Sequence, residues 1–363
     1  MRKAESKLAG LARKAKQTAK TLQQEGKSSV AKLQNRHFCI GITGLSQSGK
    51  STFITSLINQ LLNHEKASLA GFPPVLSERL LSVRVQPLDD NRLPMFAYEA
   101  NYQSMTGNNP QWPESTKTNS GCLLELRLAN TGKTLNPLRA EQFSLFLEIR
   151  DYPGEWLLDL PLLNMSYQRW CQQCLALYQA SPRRELLGDL FNELQLLDPF
   201  APVDHAVLTD LNHRFTAFLQ ACKYQSSSLS LIQPGRFLLP ETNVDAELLS
   251  FVPLLSGFES EDKAIPEGSY LDYCQKQYQG YVKQLVEPFY KGFFSRIDRQ
   301  LVLVDVVNNL NAGPAYLADM QQAMTHIAES FTYGNQSRLR QLFKAKIDKV
   351  IFAATKIDQV LSE

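Results

Sequence analysis

Gly44-Leu45-Ser46-Gln47-Ser48-Gly49-Lys50-Ser51 matches G-x-x-x-x-G-K-[ST] at every fixed position, a spacing suited to cradling phosphate oxygens. Glycine at 44 and 49 lets the chain turn tightly and come close to an anion, so consecutive N-H groups and the positive end of a following helix can point at it. Lys50 would reach the β- and γ-phosphates. Ser51 would offer its hydroxyl to a magnesium ion, which prefers hard oxygen ligands. Ser46, Gln47 and Ser48, with Thr52 just beyond the motif, complete the expected phosphate-binding stretch.

Two further groupings could supply the rest of such a site. Asp151-Tyr152-Pro153-Gly154 places an acid three residues before a glycine, so that the carboxylate can hold magnesium through water while the glycine N-H senses the γ-phosphate. Asp305, after Leu301-Val302-Leu303-Val304, is a second candidate for that acid. Thr355-Lys356-Ile357-Asp358 fits [NT]-K-x-D, in which the carboxylate accepts hydrogen bonds from guanine N1-H and the 2-amino group while the lysine stem covers the base. Adenine lacks that donor pair. A carboxylate facing it would be left unsatisfied, which is the costly outcome that yields selectivity.

These groups need elements to hold them. Residues 38–43 form a short apolar run predicting a buried parallel strand, and residues 52–62 repeat their apolar positions at helical spacing. Residues 64–120, rich in Pro, Asn, Asp and Ser, predict long connections with little regular structure. Residues 122–128 and 144–150 each alternate apolar with polar, predicting two half-buried strands that pair antiparallel across a turn at Asn130-Thr131-Gly132-Lys133. Residues 155–298 read as mostly helical, with stretches at 160–179, 182–196, 208–222 and 271–294. The α/β alternation then resumes with a strand at 300–307, a return helix at 315–330 and a strand at 349–354. The expected fold class is therefore α/β, a P-loop core with a mainly parallel sheet and a large helical insertion. Its divisions are a basic arm at 1–36, a core of 37–154 and 299–363, and the insertion at 155–298.

With 363 residues, 20% of them charged and 44% hydrophobic, the chain has ample material for a core, and no apolar run approaches a bilayer span. Six cysteines in this length imply no disulfide framework and favour a reduced, cytoplasmic setting. Cys171 and Cys174 form a C-x-x-C inside a helical run without a second pair, which favours core packing over metal or redox chemistry. His205 and His213 read as surface or capping residues. The net charge of +2 is uneven, since residues 1–36 carry ten Lys or Arg against two Glu, or +8. That arm has too little apolar area to insert in a membrane, but it suits weak, peripheral contact with an anionic inner-membrane surface. Nucleic acid is not an expected partner.

The three motifs, in this order, resemble those of P-loop GTPases, and the chain is similar throughout its length to the YcjX-like family of bacterial stress-associated GTP-binding proteins. Further residues carry that resemblance: Trp112-Pro113-Glu114-Ser115-Thr116, Asp151 through Leu157, Asp305 with Leu310-Asn311-Ala312-Gly313-Pro314, and Ala353-Ala354-Thr355-Lys356. It implies a Ras-like core, GTP or GDP with magnesium as ligands, and a phage-shock-related or membrane-associated protein partner in the envelope-stress response. It further implies Lys50, Gly154, Glu155 and Thr116 as catalytic residues, with Ser51, Asp151 and Thr116 on the metal. Thr118 is an alternative to Thr116. Glu155 stands where many GTPases have a water-orienting glutamine, which implies slow turnover. A Ras-like core is expected to continue past Glu363 with a helix, a strand and a base-contacting loop. Two alternatives stay open: a nucleotide-stabilised scaffold with little turnover, and a P-loop ATPase or kinase using Asp305, with Arg183-Arg184 or Arg338 and Arg340 in a lid unless these arginines are solvated.

Overall fold

The computed structural model describes residues 36–45, 48–66, 71–88, 93–114, 116–130, 142–225, 227–240, 244–257, 264–332 and 349–359. The basic arm up to residue 35, Ser46, Gln47, Ser115, the turn residues Thr131, Gly132 and Lys133, and Arg338 and Arg340 lie outside these.

The strands are β1 (His37–Gly44), β2 (Leu80–Gln86), β3 (Ser120–Ala129), β4 (Gln142–Asp151), β5 (Arg299–Val304) and β6 (Lys349–Ala354). They build one sheet in the order β2-β3-β4-β1-β5-β6. The β4-β1, β1-β5 and β5-β6 pairs are parallel, and β2-β3 and β3-β4 are antiparallel. The α/β class with a mostly parallel sheet is thus the observed one, and the strands at 122–128 and 144–150 do pair antiparallel.

The stretch before β3 departs from expectation. It carries β2, a short helix α2 (Pro73–Leu76) and a helix α3 (Tyr98–Thr106), where long irregular connections were predicted. Val83 and Val85 alternate as in a strand, but Leu80 is out of phase with them, and only a register irregularity between Leu80 and Ser82 lets all three pair with Leu128, Leu126 and Leu124 of β3.

Side-chain alternation divides the apolar residues between two faces. On one face Ile42 of β1, Leu124 and Leu126 of β3, Ile149 of β4 and Leu303 of β5 pack with Ile54, Ile58 and Leu61 of helix α1 (Lys50–Leu62). On the other, Cys39 of β1 with Val302 and Val304 of β5 join a continuous core running into the helices between β4 and β5. Those helices are α4 (Gly154–Leu158), α5 (Tyr167–Tyr178), α6 (Arg183–Leu187), α7 (Asp189–Leu196), α8 (His205–Tyr224), α9 (Tyr270–Tyr281) and α10 (Glu287–Gly292). After β5 come α11 (Val306–Ala312) and α12 (Pro314–Thr332), which supplies Met320, Ala323 and Ile327 to the same core. The apolar stretch at 271–294 is not one uniform helix: a π-turn at Val282–Val286 lies between α9 and α10.

Local sequence explains several of the boundaries. Ser166, Asp204 and Ser269 cap α5, α8 and α9 by accepting backbone N-H groups, as their short side-chain oxygens can. Cys171 and Cys174 are buried free thiols in α5, and burial pushes the Cys174 thiol up to about 12, which suits packing and not reactivity. Arg183 is not solvated. Its guanidinium donates to Asp319 of α12 at 2.5 Å and to Leu231 O at 2.6 Å, while Asp319 also accepts from the Ser230 and Leu231 amides. No helix among the described residues is long and apolar enough to cross a membrane.

Within β4, Glu148 is held between His37 of β1 (3.0 Å) and Arg150 (2.6 Å). Burial pushes this carboxyl up, but the His37 hydrogen bond and the Arg150 charge prevail and bring it down to about 2. A carboxyl with a depressed folded-state value stabilises the fold above its unfolded value and loses that contribution as pH falls through the folded one. Wild type should therefore exceed Glu148→Gln in urea midpoint at neutral pH, with the gap closing from about pH 4.5 towards about pH 2. A gap constant with pH would show that the charge contributes nothing.

Candidate functional site

The carboxyl ends of β1, β4, β5 and β6 meet along one edge of the sheet, where parallel α/β sheets place ligands. β1 leaves that edge at Gly44 and the chain enters α1 at Lys50, with Gly49 as N-cap in the left-handed region (φ 77°), which glycine adopts without strain. At Gly44 the close neighbour is a side chain, which can turn aside. A Cβ there would lie 1.8 Å from Ser48 Oγ. The loop is tied to its neighbours by Leu45 N donating to Leu303 O of β5 at 3.0 Å and by the buried Thr43 hydroxyl donating to Tyr152 O at 3.0 Å.

Inside this frame a small polar cluster forms. Lys50 Nζ pairs with Asp151 Oδ1 and donates to Thr116 Oγ1 at 2.5 Å. Thr116 in turn donates to Asp151 Oδ2 at 3.2 Å, and its oxygen lies 3.3 Å from Ser51 Oγ. Ser51 also reaches Glu114 O at 3.4 Å, and Ser120 Oγ reaches Asp151 Oδ2 at 3.4 Å. Burial pushes the Lys50 ammonium down, opposed by the charges of Asp151 and Glu155. Of the two candidate threonines the structure brings Thr116 into the cluster, while Thr118 is exposed. Thr52 is half-buried on the first turn of α1.

Ser51 Oγ, Thr116 Oγ1 and the Asp151 carboxylate form an all-oxygen set in which Thr116 is within hydrogen-bond reach of the other two, the hard donor chemistry that magnesium takes. Among the described residues no group of three or more His, Cys, Asp or Glu could hold a metal. The oxygen set fits a hard ion such as magnesium, which keeps several waters and is held by few protein ligands.

Gly154 starts α4 directly against the phosphate loop. A Cβ on it would lie 2.1 Å from Gly44 O, so only glycine permits this approach. The next residue, Glu155, is turned towards the helices: its Oε1 lies 2.7 Å from Lys223 Nζ, near the end of α8. Lys223 and Ser120 are the two site neighbours that sequence reasoning missed. A lysine in a helix's last turn is an ordinary feature, and nothing in its spacing signals that tertiary packing brings it to Glu155.

Asp305 plays a different part from Asp151. It caps α11, accepting Asn308 N at 3.1 Å and Asn308 Nδ2 at 2.5 Å, and it pairs with Lys356 Nζ at 2.7 Å. Its carboxylate is thus committed to the loop after β6. There Thr355 N donates to Val304 O at 2.9 Å, Lys356 has a left-handed backbone (φ 58°), and Asp358 is exposed in a short 3-10 turn.

The arrangement of loop, acid and threonine on a β2-β3-β4-β1-β5-β6 sheet agrees with comparisons to known proteins. The model of the YcjX-like family, DUF463, matches residues 38–363. This chain belongs to the YcjX-like family. It is 39% identical over 345 residues to a protein named Ras-like GTPase YcjX from Escherichia coli (strain K12), an alignment covering 94% of this chain and 73% of that protein. It is likewise 39% identical over 355 residues to a protein of the same name from Shewanella oneidensis (strain MR-1), covering 93% of this chain and 72% of the relative.

Gly154→Ala tests the closest contact. Because a methyl group meets backbone, not a flexible side chain, unfolding in urea should show a loss of about 1 to 3 kcal/mol. An unchanged midpoint would mean that the two loops separate freely.

Proposed function

We propose that this chain binds guanine nucleotide and hydrolyses GTP to GDP and phosphate, with the nucleotide acting as a switch. The observation that carries this is the cluster of Lys50, Ser51, Thr116 and Asp151 beside the Gly44–Gly154 contact. The printed name of both relatives supports it. In this reading the backbone from Gly44 to Thr52 surrounds the phosphates, and Thr355, Lys356 and Asp358 take the base. Lys50 exchanges its Asp151 partner for phosphate oxygens. Magnesium held by Ser51, Thr116 and, through water, Asp151 would neutralise charge on the β- and γ-phosphates.

In hydrolysis a water oxygen bonds to the γ-phosphorus as the bridging bond to GDP breaks. The bond's electron pair leaves on GDP, and the water's proton passes to the released phosphate. Gly154 N-H would sense the γ-phosphate and Glu155 would orient the water. Residues 155–298 would read the state, since they follow Gly154 without a linker. A setting in the envelope-stress response rests on family resemblance, and contact with an anionic membrane rests on the +8 charge of residues 1–36.

Calorimetric titration with GDP, GTP and ATP in magnesium tests the reading. Guanine nucleotides should bind and ATP should bind far more weakly, whereas equal affinity for ATP would overturn the base assignment. Asp358→Asn should weaken GDP and GTP binding about ten- to a hundredfold, the value of hydrogen bonds to a charged group. Thr116→Ala should lower magnesium-dependent GTP affinity while Thr118→Ala leaves it unchanged. The reverse result would give the metal role to Thr118.

A further inference from the structure

Glu155 is held at its backbone from two sides. Gly154 before it packs on Gly44 O, and Gly235 packs on Glu155 itself, where a Cβ would lie 2.0 Å from Glu155 O. Gly235 is fixed in turn, because its N-H donates at 2.7 Å to the buried Asp159, which also accepts from Tyr281 at 2.6 Å and from Arg236 at 3.1 Å. With the backbone clamped, the carboxylate's direction depends on its side-chain torsions and on what it binds. Its ion-pair partner among the described residues is Lys223, at 2.7 Å, and both side chains are about nine-tenths buried.

A carboxylate in this position has an electrostatic difficulty. It stands near enough to Lys50 for its charge to stabilise the ammonium, in a site whose acid, Asp151, is already negative. If the site takes a triphosphate, an uncompensated second carboxylate is repelled from the γ-phosphate. A lysine ion-paired to one oxygen removes the excess charge and fixes the group. The other oxygen can then accept a hydrogen bond from water.

We propose that Lys223, on α8 of the helical region, is a positioning residue for GTP hydrolysis that holds the Glu155 carboxylate aimed at the attacking water. This rests on the reading of the site as a GTPase. It adds that catalysis requires the seat of α8, so a binding event that shifts α8 changes the hydrolysis rate with little effect on nucleotide affinity.

The test is single-turnover GTP hydrolysis with parallel GDP and GTP titrations, on the whole chain in magnesium. Lys223→Met keeps the aliphatic stem without the charge. Its hydrolysis rate should fall about ten- to a hundredfold, the coupling expected of residues in contact, while both affinities stay within about threefold. Lys223→Arg should restore most of the rate. Glu155→Ala should lower the rate similarly, and the double variant E155A/K223M should be no slower than Glu155→Ala alone. That double variant leaves no unpaired buried charge, so it decides the matter even if Lys223→Met does not fold. A wild-type rate in Lys223→Met, or losses that multiply in the double variant, would overturn the proposal. Failure of wild type itself to bind or hydrolyse GTP would instead overturn the GTPase reading beneath it.

Discussion

The approach of Gly154 to the Gly44 carbonyl is the constraint on which the site depends. No side chain separates the end of β4 from the phosphate loop, since even one carbon would lie 2.1 Å from that oxygen. Close packing at this point leaves no slack, because densely packed interiors transmit displacement and do not absorb it. Thr43, whose hydroxyl binds Tyr152 O, and Leu45, whose amide binds Leu303 O, fix the loop against both neighbouring strands. The Asp151 carboxylate and the Lys50 ammonium are thereby set facing each other before any ligand contributes.

Ion pairs, three of them buried, extend from that point into the helices and towards the loop after β6: Glu155 with Lys223, Asp159 with Arg236, Arg183 with Asp319, and the part-exposed pair of Asp305 with Lys356. Such pairs are weak evidence of stability, since removing two charges from water costs about what their attraction returns. Their geometric content is greater. Asp159 collects Tyr281, Arg236 and the Gly235 amide on one carboxylate, although burial pushes its carboxyl up, the Arg236 charge and these hydrogen bonds opposing. Asp319 does the same for Arg183 and two backbone amides. Each carboxylate joins segments distant in sequence at one defined spacing, which an apolar contact of equal area would specify less sharply.

What could be read from the sequence was what is local. The phosphate loop, the strand preceding it and α1 follow from glycine spacing and apolar period, and the β3-β4 hairpin follows from alternation in each strand. The C-x-x-C sits in a buried helix, as its lack of a second pair suggested. The rest depends on packing. β2, largely exposed and with its alternation broken by an irregularity between Leu80 and Ser82, does not stand out among Pro- and Asn-rich neighbours until β3 pairs with it. Arg183 beside Arg184 looks like a solvated pair, yet Arg183 is buried, because Asp319 lies 136 residues away in sequence and 2.5 Å away in space. Lys223 is hidden for the same reason.

The electrostatics also suggest why helices between β4 and β5 would bear on chemistry at the sheet edge. Lys50 lies near Asp151 and Glu155, so an anion that draws Lys50 away leaves two carboxylates facing the incoming charge. At about 4 Å and an effective dielectric of about 20, each such encounter costs about 4 kcal/mol. Magnesium on Asp151 can answer one of these. The other falls to Glu155, where the compensating cation is Lys223, and Lys223 belongs to α8. Charge balance at the proposed phosphate site would therefore be completed from the helical side, and only while α8 stays seated against the clamped backbone of Glu155.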